Sequence, residues 1–387
     1  MPRFARMLSD AYEARGHKVT LWSPTANVRR IFASTRCAKW AGYVDQYVLF
    51  PFQVRKALKA IDKNTLFVFC DQALGPWVPL VKARPHVVHV HDLLALRSAL
   101  GDIKENPTSL SGKIYQWYIR RGFRHARHFI SISKKTRDDL HRFGRVTAVS
   151  SDVVYNGLNF PYAPMKRQEA QAILQAAGFP VSPDGMLLHL GGNQWYKNQR
   201  GLIALYAQYV AGEDSPLPLW CISPSPNGAA KAAISKIGHS GRVLFFQNLE
   251  NRALQAAYSY ARAFLFPSLA EGFGWPLVEA ESCGCPVVTT NEPPMTEAAG
   301  DAAVYLPRLQ YGEDIDVWAA NGAALLKGLL SESLENRAQR AKRGYARAKL
   351  FHSDGPIDAY LAIYHKILEQ HVGNAVSGPE VVGRPTV

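Results

Sequence analysis

Short apolar runs alternate with longer amphipathic stretches along the whole chain. In the first half the runs are KVTLWS (18–23), TLFVFC (65–70), HVVHV (86–90), HFISIS (128–133) and AVSSDVVYN (148–156). In the second half they are MLLHLG (186–191), LPLWCIS (217–223), RVLFF (242–246), AFLFP (263–267), CPVVTT (285–290) and AAVYL (302–306). Each has the length of a strand. Between them, QRGLIALYAQYV (199–210) and NRALQAAYSYA (251–261) place apolar residues at i, i+3, i+4 and i+7, the helical period. Strand–helix alternation predicts an α/β chain of parallel, doubly wound sheets. At 387 residues the chain exceeds one ordinary core, so two Rossmann-like domains facing a cleft are expected. The break falls in NGLNFPYAPMKRQEA (156–170), where two prolines precede a new helix. This divides the chain into a domain over 1–160 and a domain over 161–350. A closing segment, 351–372, contains the periodic DAYLAIYHKILEQ (358–370) and is expected to cross back to the first domain. The remainder, 373–387, lacks a helical period and is expected to be disordered. Folds of this class bind ligands at the carboxyl ends of their strands.

Composition narrows the class. Hydrophobic residues make up 47% and charged residues 20%, the balance of a soluble globular protein. Cys37, Cys70, Cys221, Cys283 and Cys285 are an odd, scattered set, expected as reduced thiols rather than a disulfide framework. The lone CxC at Cys283 and Cys285 lacks a second pair at zinc spacing. No run reaches the ~18 to 20 apolar residues of a membrane span, and the start lacks a signal-peptide core. A cytoplasmic protein is expected, with the membrane surface left open as a partner.

The net charge of +14 is unevenly placed. Residues 1–160 carry 26 Lys and Arg against 11 Asp and Glu, so the whole excess belongs to the first half. Such a half fits a polyanionic partner (nucleic acid, anionic lipid or a phosphorylated substrate) or simply solubilising charge. The run KIYQWYIRRGFRHAR (113–127) interleaves aromatics with cations. It reads equally as a membrane or acidic-acceptor face and as an ordinary helix turning Tyr115, Tyr118 and Ile119 to the core. No nucleic-acid module is recognisable, so nucleic acid is not the expected partner.

Candidate chemistry concentrates in EGFGWPLVE (271–279). The surrounding LFPSLAEGFGWPLVEAESCGCPVVTT reads as a β-α-β unit. A strand ends near Pro267, Pro276 opens a helix, and Gly284 closes it. Glu271 then stands on the loop and Glu279 in the first turn. Gly272 and Gly274 let backbone N–H groups approach a ligand, and a helix N-terminus suits phosphate. An ionised carboxylate can accept two hydrogen bonds from a vicinal diol, as in ribose or a hexose. The plainer alternative is a loop Glu and a helix-dipole Glu, worth a few tenths of a kcal/mol each.

The stretch VLFFQNLENRALQAAYSYARAFLFPSLAEGFGWPLVEAESCGCPVVTTNEPPMTEAAGDAAVYL (243–306) resembles the donor-binding half of family 4 of the retaining glycosyltransferases, of the two-Rossmann GT-B type. It carries the E-x7-E signature with flanking FPS, EGFG, PLVEA and GCPV. HLGGNQWYKN (189–198) resembles the strand and loop around the family's phosphate-binding lysine. SISKKTRDDL (131–140), VVYNGLN (153–159), CDQALGPWVPL (70–80) and HVVHVHDLLAL (86–96) resemble its acceptor domain. The resemblance covers about 65 to 372.

What it implies follows residue by residue. Glu271 would meet the hydroxyls of the transferred sugar and Glu279 the ribose of the nucleotide. The backbone of Gly272, Phe273 and Gly274 would cradle sugar and diphosphate. Lys197 would neutralise the leaving diphosphate, with Gly191, Gly192 and Asn198 in the same donor-binding loop. His91 matches the active-site histidine near the sugar. Glu271, His91 and Lys197 are thus the implied catalytic set, without cofactor or metal, on a nucleotide diphosphate sugar. Gly192 stands where many members carry arginine, leaving Asn193, Gln194, Asn198 and Arg200 as candidate replacements. Glu297 matches a position at a helix start beneath the site, and a helix cap explains it equally well.

Three metal readings are weak: His86 with His89 and His91, the CxC, and Asp314 with Asp316 in a hydrophilic segment. Family members open with a strand and a Gly-rich loop. Here Met1 leads straight into PRFARMLSDAYEARGHKVTLWSP, which reads as a helix, its Gly16 cap and a second strand, so the first strand is expected to be missing. The implied activity is retaining transfer of a mannose- or glucose-like hexose to a glycan or lipid-linked acceptor, in bacterial surface polysaccharide or glycolipid synthesis. An epimerase or hydrolase on the same fold, an inactive sugar-binding relative and a basic nucleic-acid-binding protein are the rival readings.

Overall fold

The computed structural model describes residues 2–34, 37–226, 228–238, 241–351 and 354–376. The first sheet contains β1 (Phe67–Phe69), β2 (His86–Val90), β3 (His128–Ser131) and β4 (Ser150–Val153), in that order and all parallel. The second contains β5 (Leu187–Leu190), β6 (Leu219–Ile222), β7 (Val243–Phe246), β8 (Ala263–Phe266), β9 (Val287–Thr290) and β10 (Val304–Leu306). These six run parallel in the order β10-β9-β8-β5-β6-β7. Chain order therefore reverses between β5 and β8. That is the strand order of a dinucleotide-binding sheet, and the reversal opens a crevice at the carboxyl ends of those two strands.

The period-2 pattern of each strand divides its side chains between two cores. In β5, Leu187 packs with Leu202, Leu205 and Trp318, while the next residue, Leu188, packs with Tyr258 and Leu277. In the first sheet, Val87 and Ile130 meet Phe4 and Leu8, whereas Val88 and Phe129 meet Val78, Ile119 and Phe123. Each fully buried Leu or Phe of these layers contributes about 1.5–3 kcal/mol.

Two expectations need correction. KVTLWS (18–23) forms no ladder. Trp22 packs edge-on against Phe67 at 5.7 Å, and Val19 lies against the core of the first sheet, but Leu21 is 55% exposed. A strand needs a backbone partner. Among the described residues, β1 offers one only to β2, so this run docks by side chains alone. The helix Asp354–Val376 also runs past 372. Its stripe of Ile357, Tyr360, Tyr364 and Ile367 packs on the first sheet beside Val87 and Ile130, and that docked face carries the helix through residues 373–376. The rest of the expected disordered tail, 377–387, lies outside the described residues.

Glu281 in the helix Trp275–Ser282 is a misfit within this core. It is 2% exposed, and neither carboxylate oxygen has a hydrogen-bond partner among the described residues. Burial pushes its carboxyl well above the ordinary 4.5, and Arg347 only partly opposes this. The folded protein then holds a proton that the unfolded chain releases, so the group's contribution to stability falls as pH rises above about 4.5. Glu281→Gln is expected to be more stable than the parent near pH 7 and no more stable near pH 4.5. Urea unfolding at the two pH values checks this; a difference independent of pH would contradict it.

Candidate functional site

The crevice is built from two loops. The loop after β5 runs through Gly191 and Gly192 to the short turn Trp195–Lys197, then to Asn198, which adopts a left-handed φ of 52°. The loop after β8 carries Ser268 to Gly274, and Gly274 (φ 104°) opens the helix Trp275–Ser282. The two loops are tied together. The Leu269 amide donates to the Tyr196 carbonyl at 2.7 Å. Asn198 gives Nδ2 to the Pro267 carbonyl at 3.0 Å, while its Oδ1 accepts from Gly201 N at 3.1 Å. Asn198 thus braces the two loops through its side-chain amide.

Across this brace Lys197 Nζ donates to Glu271 Oε1 at 2.7 Å, over the faces of Phe266 and Tyr196. The pair is nearly buried, with side chains 14% and 10% exposed. Burial raises the Glu271 carboxyl above its ordinary value, and Asp92 adds to this. Lys197 and the neighbouring Ser268 pull the other way. Glu279 lies deeper, in the helix, where Oε2 accepts from Tyr258 Oη at 3.0 Å. The Phe273 side chain belongs to the core, ringed by Tyr155 and Phe351, which leaves only its backbone for the crevice.

The first sheet supplies the opposite wall. His91 follows β2, and its Nε2 pairs with the Cys70 carbonyl at 2.9 Å. A carbonyl accepts only, so Nε2 carries a proton, and in the neutral ring Nδ1 is left as an acceptor. Asp92 caps the next helix through Leu94 N, and burial raises its carboxyl. Gln72 grips both residues, accepting from His91 N and donating to the Asp92 carbonyl.

The two domains touch at Gly272. A Cβ there would stand 2.2 Å from the His91 carbonyl, and the Gly272 carbonyl accepts from Ser133 Oγ at 2.8 Å. The sequence reading assigned this glycine to close approach of a ligand. The structure shows that the backbone approaching it is that of His91. Nearby, the Glu297 carboxylate accepts from Lys134 N at 2.7 Å, Lys135 N at 2.8 Å and Tyr155 Oη at 3.1 Å. It is a helix cap, but of the helix Lys134–Asp139 in the other domain, which the sequence does not reveal. Arg308 forms a second clasp, donating to the Leu269 carbonyl at 2.9 Å and pairing with Glu105 at 2.5 Å.

Other candidates stand elsewhere. Gly191 and Gly192 lie in the loop after β5, with Gly192 against the Gln194 side chain. Asn193 bonds the Ser225 carbonyl. His89 is a core histidine, bonded to Tyr364 Oη at 2.6 Å, with burial pulling its pKa down to about 3. Asp314 caps the helix Ile315–Leu330. No group of three or more potential metal ligands occurs among the described residues.

Comparison with known proteins gives two family matches that between them span both domains. Residues 178–344 match the family described as glycosyl transferases group 1, and residues 1–160 match glycosyltransferase family 4. The chain belongs to the family 4 glycosyltransferases. Its GT-B fold agrees with the crystal structure of WaaG, a glycosyltransferase involved in lipopolysaccharide biosynthesis. That structure superposes with a TM-score of 0.68 at 15% identity, covering 94% of this chain and 95% of that one. Among curated proteins, O-antigen chain mannosyltransferase B of Escherichia coli is 28% identical over 229 residues, covering 58% of this chain and 57% of that protein. D-inositol 3-phosphate glycosyltransferase of Mycolicibacterium paratuberculosis is 29% identical over 227 residues, covering 57% and 48%. The chain thus spans about half the length of the curated relatives it matches.

Within this family 4 chain, sequence reasoning missed Asp92, Gln72, Arg308 and Tyr196. A signal existed for Asp92, because a His-Asp step at a strand's carboxyl end is where such folds place ligands. Arg308 gave none, since its role depends on Glu105 two hundred residues away.

Proposed function

We propose that the chain is a retaining glycosyltransferase. It moves a hexose from a nucleotide diphosphate sugar to a glycan or lipid-linked acceptor, in bacterial surface polysaccharide or glycolipid synthesis, at the inner face of the plasma membrane. The observation that carries this reading is the Lys197–Glu271 pair at the point where the second sheet reverses its strand order. A donor diphosphate at the loop amides draws Lys197 away from Glu271, since two phosphate charges outweigh one carboxylate. The freed carboxylate accepts hydrogen bonds from the sugar's hydroxyls, which places the anomeric carbon toward the first domain. Lys197 then stabilises the charge that grows on the departing diphosphate. His91 Nδ1 accepts from a sugar hydroxyl on the opposite wall. Glu279, sharing Tyr258, takes the ribose. The proposed reaction uses no metal or cofactor.

Sugar transfer is tested by incubating the protein with UDP-, GDP- and ADP-hexoses and following nucleotide diphosphate release with and without acceptor extracts. Release that depends on acceptor is expected for one nucleotide. Equal release without acceptor would favour a hydrolase, and a changed sugar without release an epimerase.

The membrane partner has its own support. No helix among the described residues is long and apolar enough to cross a membrane. Between Val28 and Ala57, however, Ile31, Trp40 and Phe52 are each more than two-thirds exposed. The one acid of that stretch, Asp45, is buried against Val28 N and Arg29 N. The helix Leu110–Phe123 adjoins it through Tyr47 and Tyr115 and exposes Ile114 and Trp117, while Ile119 alone of the three expected core residues is buried. Cations and aromatics without exposed acid fit an anionic bilayer. Co-sedimentation with anionic vesicles is expected at low salt and should weaken severalfold near 0.5 M salt. Trp40→Ala with Phe52→Ala should weaken it at both, and absence of low-salt binding would refute the assignment.

A further inference from the structure

The amino ends of the first sheet's strands frame a cavity of about 560 Å³, on the edge opposite the sugar-transfer crevice. Its lining includes Lys82, Arg84, His86, Arg127, His128 and His371, and no carboxylate side chain. The arrangement follows from the topology. β2 and β3 begin at His86 and His128, and the register sets His128 beside Ser150. The fourth wall is the end of the helix Asp354–Val376. Its buried stripe of Ile357, Tyr360, Tyr364 and Ile367 continues one turn beyond the sheet to His371, at the cavity's lip. A five-residue strand spans about 16 Å, so this cavity is separate from the crevice at His91.

The cations differ in availability. Arg84 is committed to the carbonyls of Leu58, Ile61 and Asp62. Lys82 and Arg127 have no ion pair or side-chain hydrogen bond among the described residues, and both are exposed. His128 Nδ1 pairs with Ser150 Oγ at 3.0 Å, which fixes the ring. Burial keeps His128 and His86 below the ordinary histidine range, so near neutral pH they offer hydrogen bonds rather than charge. Val149 and Ile367 add apolar surface to the same walls. A cavity of about 560 Å³ lined by two cations without an ion pair among the described residues and by apolar Val149 and Ile367 is within the size range that holds small organic ligands.

We propose that this cavity is a second ligand site, for a small soluble phosphate ester. The phosphate lies against Lys82, Arg127 and His128, and the uncharged body rests on Val149 and Ile367. Bound there, the ester would join the first sheet to the last helix, away from the donor. The site stands whether or not the transfer reading holds, because it shares no residue with the crevice.

The test uses glucose 6-phosphate as probe and the full chain carrying Lys197→Ala, which removes the crevice's own cation. Isothermal titration should show saturable binding. Adding Lys82→Gln and Arg127→Gln should weaken it at least tenfold, and His371→Ala alone about two- to fivefold. Both groups of positions are exposed or at the lip, so the unfolding midpoint without probe should not change. Restoring charge with Lys82→Arg and Arg127→Lys should keep affinity within about threefold. Equal affinity in the parent and the glutamine variant would overturn the proposal, as would no binding in the parent. Capture by phosphatidic acid vesicles that needs Lys82 and Arg127, without glucose 6-phosphate binding, would also overturn it in favour of a lipid.

Discussion

Replacing Glu271 by alanine is expected to lower transfer kcat by about 10²–10³-fold, the scale of losing one preorganised charged contact in a water-poor site. The same change should leave nucleotide diphosphate binding intact or tighten it. Lys197 now spends its charge on Glu271 at 2.7 Å, and incoming phosphate must compete for it. With Glu271 gone, that competition disappears. Glu271→Gln separates the two roles, since it keeps the shape and part of the hydrogen bonding but removes the charge that Lys197 feels. Kinetics with the preferred donor, together with calorimetric titration of its diphosphate, check both halves. Parallel loss of kcat and diphosphate affinity would place Glu271 on the phosphate rather than the sugar.

Lys197→Ala carries the second large effect. A charged hydrogen bond to phosphate is worth about 1.5–3 kcal/mol, so diphosphate affinity should fall about 10- to 150-fold. Transfer should fall further, because leaving-group charge grows toward the transition state. The variant also strands Glu271, whose carboxyl burial already pushes up. Without Lys197 it should take up a proton at higher pH than in the parent. Any tightening of diphosphate binding seen in Glu271→Ala should therefore vanish once Lys197 is also replaced, so the double variant should bind about as well as Lys197→Ala alone. An equal effect of Glu271→Ala on diphosphate affinity with and without Lys197, tightening included, would show that the ion pair has no part in donor binding.

Neither effect relies on the clasp between the domains, but the clasp frames both. Gly272 brings Glu271 within reach of the first domain only because it lacks a Cβ where the His91 carbonyl passes. Glu297, Ser133 and Arg308 with Glu105 hold the same closure from either side. A donor or acceptor entering the crevice must fit inside these contacts or loosen them.

What sequence alone determined is what depends on near neighbours along the chain. Short apolar runs located each of the ten strands found among the described residues, because a parallel sheet covered on both faces needs apolar side chains on both sides of the pleat. The E-x7-E block placed Glu271 on a loop and Glu279 on a helix, because Gly274, Pro276 and Gly284 encode that local turn and its end. Lys197 was named only through the resemblance of HLGGNQWYKN to the family's phosphate-binding loop. Tertiary structure decided where each group spends its hydrogen bonds. Asn198, named for the donor loop, ties that loop to Pro267 and to Gly201. KVTLWS has the pattern of a strand but forms no ladder among the described residues, and Glu297 caps a helix of the other domain. The Lys197–Glu271 bond joins residues 74 positions apart. Such partners are chosen by packing across the fold, where distance in space is unrelated to distance in sequence, and no local pattern records that choice.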